Sequence, residues 1–378
     1  MNISHVELWN WKNFRNVNVS IPARVFLVGP NASGKSNFLD ALRFLRTLAI
    51  PGGGLQSAVE ERRGLSHIRC LAAPQESGVG ITVVLSDGKD AWKYALCFNQ
   101  EAQGRRRPVL TREAVFKNDN LILERPDPDD QNDRERLTQT ALEQVNLNAR
   151  FREIAQFFEK ISYLHLTPQI VRNSYEWTIP NKQAEAYGYH FVDRLAKTPE
   201  KIRAVRLRRI LKTLKEVVPQ LESMGLKNDE NGIPHLVASY THWQQKLARQ
   251  DEETFSDGVL RLIGLLWSLQ EGDGPLLLEE PELSLHSGIV RRLPGLIHRI
   301  QSEKKRQIVI STHSADLLCD EGIGGEEVLL FTPRQDSAQI VSAVSQPEIR
   351  SLLEAGVTAA DAVLPHTDPE NFRPRDPL

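Results

Sequence analysis

Cysteine is scarce in this chain. Its three thiols, Cys70, Cys97 and Cys319, lie far apart, with no C-x-x-C pair and no histidine cluster at zinc spacing. That excludes a disulfide scaffold and a structural zinc site and leaves simple buried thiols. Long apolar runs are missing as well: no uncharged stretch approaches the roughly 18 to 20 residues of a membrane span, and no charged-then-apolar leader opens the sequence. The expectation is a cytoplasmic protein without a membrane. Nor is there an excess of either charge, since 47 Lys and Arg face 49 Asp and Glu for a net charge of −2. A uniformly basic nucleic-acid coat is therefore excluded, although local patches stay open. Internal repeats, low-complexity tracts and sustained heptads are also absent. What is present is 378 residues with 40% hydrophobic content, enough for a real core and long enough for two domains.

Residues 2 to 28 read as strands ("ISHVELW", "NVNVSI", "RVFLV") that run into a glycine-bearing turn, and a helix follows from Lys35 until "PGGG" at 51 to 54. Residues 79 to 124 alternate as exposed antiparallel strands do, which predicts a β-rich N-terminal lobe over residues 1 to 125. At "ERPDPDDQNDRER", 124 to 136, the composition shifts to an acidic, proline-bearing loop read as solvated surface. Beyond it, 134 to 160 and 199 to 221 read as helices and "ISYLHLTPQ" as a strand. Residues 126 to 250 are thus expected to be a mostly helical insertion interrupted by that strand. From 251 to 378 strand and helix alternate: a helix at 256 to 271, "PLLLEE", a helix at 286 to 302, "QIVIS", and a short helix after "THS". This predicts an α/β fold with a parallel sheet covered on both faces. The last residues, "DPENFRPRDPL", look like a loose tail.

Gly29-Pro30-Asn31-Ala32-Ser33-Gly34-Lys35-Ser36 fits G-x-x-x-x-G-K-[ST] without a gap, a match that arises by chance about once in a hundred chains of this length. Its glycines let backbone NH groups turn inward as an anion nest at a helix N-terminus. Lys35 then reaches the β and γ phosphates of ATP, Ser36 places its hydroxyl on Mg²⁺, and Asn37 follows in the first helical turn. A phosphate cradle alone does not imply hydrolysis. "PLLLEEPELSLH", 275 to 286, is an apolar strand ending in two carboxylates: Glu279 suits the Mg²⁺ water shell and Glu280 the attacking water. A strand ending in Glu-Glu is also a common solvated strand end. A second apolar strand, "QIVISTHS", ends at His313, at the carboxyl edge where open α/β sheets bind ligands.

The order of these motifs resembles the ABC-type ATPase superfamily, and within it the RecF/SMC/OLD-like branch of standalone P-loop ATPases. It covers roughly residues 1 to 125 and 251 to 345: Walker A at 29 to 36, a signature-like "FSDGVLRLIGLL" at 255 to 266, Walker B at 276 to 280, a D-loop-like "PELSLH", and a switch histidine at His313. "NFRN", 13 to 16, also looks like RecF. The resemblance implies an ATP-sandwiched, head-to-tail homodimer in which Ser256 and Gly258 complete the partner's nucleotide site. Alternatively, "SDG" is an ordinary helix cap. Gln169 is preferred as the metal-side Q-loop glutamine over Gln75 and Gln100, with a polar strand end as the alternative. The sequence departs from the pattern twice: Glu279 stands where the family carries Asp, and "FSDG" replaces the transporter signature, which points away from membrane transporters.

Three basic segments are candidates for nucleic-acid contact. "KIRAVRLRRILKTLKEVV", 201 to 218, sets seven cations around an amphipathic helix, and "GRRRP" at 104 to 108 and "RIQSEKKRQ" at 299 to 307 are weaker. Each is equally readable as a solvated face, and none carries the aromatic interleaving of single-strand stacking. OLD-like proteins often carry a Toprim nuclease, but the residues after His313 show no two-metal carboxylate set, and the D-x-D in "PDPDD" lies in the acidic loop. The expected partner is accordingly a separately encoded effector, Toprim-like among the candidates, in a two-component anti-phage system. The alternative is a RecF-like repair clamp on DNA. The stretch 347 to 365 carries no chemistry and is either a partner dock or core packing.

Overall fold

The computed structural model describes residues 1–73, 78–102, 104–173, 186–241, 247–334 and 337–367. The alternative glutamine Gln75 and the tail 368 to 378 lie outside the described residues. The chain divides into two compact units, one of Met1–Ser162, Asp273–Leu277 and Lys305–Leu378, the other of Tyr163–Gly272 and Leu278–Lys304.

Strands in chain order are β1 (Asn2–Trp11), β2 (Phe14–Ser20), β3 (Arg24–Val28), β4 (Val79–Ser86), β5 (Ala91–Gln100), β6 (Pro108–Lys117), β7 (Asn120–Arg125), β8 (Ser162–Leu164), β9 (Leu221–Asn228), β10 (Pro234–Thr241), β11 (Leu247–Asp251), β12 (Leu276–Glu279), β13 (Ile308–Thr312), β14 (Val328–Thr332) and β15 (Gln339–Ser342). The first unit carries an antiparallel sheet in the order β2-β1-β4-β5-β6-β7, the β-rich lobe that the alternation predicts. The other large sheet runs β15-β14-β3-β13-β12-β8. β14, β3 and β13 are mutually parallel, and β15 turns back antiparallel on β14. Val25 to Val28 and Val309 to Ile310 have no exposed surface, as befits strands covered on both faces. The helix Lys35–Ala49 follows β3 and buries Phe38, Leu39, Leu42, Leu45 and Leu48 along one stripe.

The acidic loop is mostly exposed, as expected, but it is anchored on a buried corner. Arg125, Glu113 and Asp130 are each fully buried in side chain, with Arg125 bonded to Asp130 at 2.8 Å and to Glu113 at 3.3 Å. Asp127 caps the helix Pro128–Asn132 by accepting from the Asp130 N–H at 2.8 Å, and Asp129 pairs with Arg136. Both carboxylates of the D-x-D are therefore spent on capping and pairing. The span 134 to 160 is also not one helix: it holds the short 3₁₀ turns Arg134–Thr138 and Asn148–Arg150 before the helix Arg152–Glu159. In the 347 to 365 stretch, Ile349, Ala362 and Val363 have no exposed surface, which is core packing.

The second unit contains the helices Pro168–Arg172, Phe191–Lys197, Glu200–Lys215, Asp257–Gln270, Ser287–Val290 and Leu293–Lys304. It also contains an antiparallel sheet, β11-β10-β9, so the 126 to 250 segment is more mixed than a helical insertion interrupted by one strand. Among the described residues no helix is long and apolar enough to cross a membrane.

Candidate functional site

In the first unit, the turn Gly29 to Ser36 leaves the carboxyl end of β3. Its glycines are required by space: a Cβ on Gly29 would sit 2.5 Å from the Phe331 carbonyl oxygen, and one on Gly34 would lie within 2.8 Å of both the Asn13 amide and the Phe14 ring. Gly34 also has φ +106°, a backbone state that side chains disfavour. As N-cap it brings no side chain, so the first-turn N–H groups of the helix Lys35–Ala49 have no side-chain cap. Ser33 is fully buried with its hydroxyl unpartnered. Lys35 folds back onto the turn and donates to the carbonyls of Gly29 at 2.7 Å and Pro30 at 3.0 Å. Asn31, Ala32 and Ser36 are exposed. Cradle, bare helix end and orphaned hydroxyl together fit a bound phosphate chain.

The turn is held from the β1–β2 connection, which the "NFRN" resemblance touches without explaining. Asn13 donates to the Ser33 carbonyl at 3.2 Å and accepts from the Asn37 amide at 2.9 Å, while the Trp11 indole donates to the Asn37 carbonyl at 3.0 Å. Asn37 thus works here as a strut behind the turn. Lys12 pins the same connection to the helix through Asp40 at 2.6 Å, and Arg62 grips Asp40 with two bonds of 2.8 and 2.9 Å. Burial pushes the Asp40 carboxyl up, but Arg62 and Lys12 outweigh it and hold its pKa at about 2. His313 follows Thr312, which pairs with Val28 in the parallel β13–β3 ladder. Turn and histidine therefore leave adjacent strands at the same level, and His313 is exposed.

In the second unit, Glu279 ends β12 and the Tyr163 hydroxyl donates to its carboxylate. His165 Nδ1 lies 3.2 Å from the Glu279 carbonyl oxygen. Sequence reading missed both residues, although the i, i+2 spacing in "SYLHL" sets them on one face of a strand. Glu280 has φ +44°, a strained state of the kind that clusters at functional positions. Arg261 is half-buried, its pKa lowered by burial and partly restored by the charges of Asp257 and Glu280.

The signature-like turn is built as a cap. Ser256 is the N-cap of the helix Asp257–Gln270 and accepts from the Val259 N–H at 3.4 Å. Gly258 makes the close backbone approach expected of it, but to its own chain: a Cβ there would lie 2.8 Å from the Ser284 carbonyl oxygen. Asp257 receives Arg172 at 2.6 Å, and Gln169, exposed, reaches Asp257 at 3.5 Å. Gln100 donates to the Arg106 carbonyl in the β5–β6 hairpin. Of the basic segments, Arg107 is tied to Glu101 and Glu135, and Arg306 is buried, donating to the Gly274 carbonyl.

A glycine turn and helix leaving the carboxyl end of an inner strand of a parallel sheet, with a histidine ending the neighbouring strand, define a P-loop ATPase fold of the ABC type. Residues 24–320 match the family described as "AAA domain, putative AbiEii toxin, Type IV TA system", and the chain belongs to that family. Over 129 residues it is 27% identical to the DNA replication and repair protein RecF of Clavibacter michiganensis subsp. michiganensis, covering 34% of this chain and 32% of that protein. RecF of Clavibacter sepedonicus matches at the same identity and length, over 31% of its length. The chain thus spans about a third of the curated relatives it matches. Among solved structures, an SMC head bound to the C-winged helix domain of ScpA is similar with a TM-score of 0.53 at 14% identity, covering 90% of this chain and 98% of that one. An Smc head with an extended coiled coil, bound to the C-terminal domain of ScpA derived from Pyrococcus furiosus, gives 0.50 at 13%, covering 94% and 99%. At such identities the likeness is one of fold.

Proposed function

We propose that the protein binds Mg-ATP on the Gly29–Ser36 turn, hydrolyses it, and dimerises head to tail around two nucleotides. The observation that carries this reading is the turn itself, where Gly29 and Gly34 pack too closely against Phe331, Asn13 and Phe14 for any side chain, at the start of a helix with no side-chain cap. Lys35 exchanges the Gly29 and Pro30 carbonyls for phosphate oxygens, and Ser36 and Glu279 supply oxygen donors of the kind Mg²⁺ prefers, with Gln169 as a third candidate. Glu280 orients and deprotonates the attacking water, and His313 hydrogen-bonds the γ phosphate. Motif order and family membership support these assignments. Ser256 and Gly258 serve the partner protomer's nucleotide, each subunit giving and receiving the same contact.

The biological setting proposed is a cytoplasmic two-component defence system in which the ATP-clamped dimer engages a separately encoded, Toprim-like nuclease. The match to RecF favours a second reading, a DNA-binding repair clamp. One experiment addresses both: the solution mass of Glu280→Gln with and without Mg-ATP, repeated with a DNA duplex. A monomer that doubles only with ATP supports the composite site, and a further DNA-dependent change moves the weight to the repair clamp. A mass indifferent to ATP overturns the ATP-dependent composite site, and wild-type turnover by Glu280→Gln overturns the assignment of Glu280. Lys35→Ala serves as the control that abolishes nucleotide binding.

A further inference from the structure

The helix Glu200–Lys215 has two apolar sides. Leu207, Ile210 and Leu214 are buried within the second unit. On another side Ile202 and Val205, one turn apart, each keep 48% of their surface exposed. They line a groove of about 460 Å³ together with Lys201, Arg206, Arg209 and Gln270. Arg206 is held in place by its guanidinium, 5.1 Å from the centre of the buried Trp267 ring. Gln270 is 7% exposed and donates to the Leu266 carbonyl at 3.1 Å, but its side-chain oxygen has no partner. Among the described residues no carboxylate lines the groove, and Lys201, Arg206 and Arg209 form no ion pair.

A solvated face does not require two adjacent aliphatic side chains at its centre, and a phosphate backbone offers nothing apolar for them to bury against. Protein interfaces do combine these features: an apolar centre, arginines around it, and complementary charge opposite. We infer that this groove docks an acidic amphipathic helix of a partner protein. Two aliphatic side chains of that helix, three or four residues apart, cover Ile202 and Val205. Flanking carboxylates meet Lys201, Arg206 and Arg209. Docking here does not depend on the nucleotide reading.

The test is fluorescence anisotropy on the full chain with a panel of labelled peptides that carry Glu and Asp around paired leucines. Controls are the same peptides with Lys for the acids or Ser for the leucines, and a labelled DNA duplex. The expected result is saturable binding of acidic amphipathic members only, weakened at least about tenfold by Val205→Asp and by Arg209→Glu, with thermal midpoint and ATP turnover unchanged in both variants. The proposal is overturned by no saturable binding across the panel, by control peptides that bind as strongly as the acidic ones, or by peptide binding indifferent to Val205→Asp. A duplex that binds and is lost in Arg209→Glu but kept in Val205→Asp also overturns it, by marking the face as a nucleic-acid surface.

Discussion

Glu279 is one methylene longer than the aspartate usual at its position, and a longer arm has more ways to miss a metal. In the proposed site the Tyr163 hydroxyl limits that freedom by holding the carboxylate, as outer-shell donors do for metal ligands generally. Tyr163→Phe is expected to raise the Mg²⁺ concentration needed for half-maximal turnover about tenfold, with little change in thermal midpoint. A Mg²⁺ titration that superimposes on wild type would separate Glu279 from the metal. Asp40 offers a different residue-scale test. Its folded pKa of about 2 lies below the reference value of 3.8, so the carboxylate stabilises the fold above that reference value, and the contribution is lost as pH falls through about 2. By linkage it amounts to about 2 kcal/mol. Asp40→Asn should lower the denaturation midpoint at neutral pH and flatten the stability profile on the acid side. An unchanged acid limb would mean that Arg62 and Lys12 find other partners.

At the scale of elements, the signature-like turn serves two demands with one hydroxyl. Ser256 caps its own helix, and the proposed dimer asks the same side chain to face a neighbour's γ phosphate. Ser256→Asp separates the two, because aspartate caps a helix as well as serine does but sets a negative charge against the phosphate. Its thermal midpoint should match wild type while ATP-dependent dimerisation of the Glu280→Gln background disappears. Retained dimerisation would leave Ser256 as a cap only. The same element scale shows what sequence discloses. β1 to β7 and the phosphate turn were legible because alternation and glycine spacing are local signals. The span 134 to 160 misled because its apolar residues mimic a helical period. Asn148 bonds the Leu142 carbonyl and Thr138 the Glu135 carbonyl instead, the local competition that unwinds helices. β9 to β11 escaped notice because Leu221, Leu236 and Ala238 are the few buried positions among mostly polar residues, too weak an alternation to read. The acidic corner depends on Glu113, which lies in β6 and pairs with Arg125 of β7 across a hairpin. Composition alone cannot reveal such a pairing.

For the whole molecule, the family and the P-loop fold rest on motifs spread along the entire chain, whereas the partner and the biological setting rest on surfaces. The basic helix illustrates the difference. Its sequence reads as an amphipathic helix with an apolar stripe ringed by cations, and only the fold shows that Ile202 and Val205, outside that stripe, stay exposed. The large parallel sheet has a further consequence, in time rather than in space. β3 is finished at Val28, yet its neighbours on either side begin at Ile308 and Val328. At a synthesis rate of roughly 5 to 20 residues per second, the strand bearing the phosphate turn waits on the order of tens of seconds, unpaired on both edges. Its five apolar-rich residues and the adjoining helix stay exposed to mispairing for that interval, so nucleotide binding should be among the last properties a growing chain acquires, and the nascent protein a natural client for chaperones.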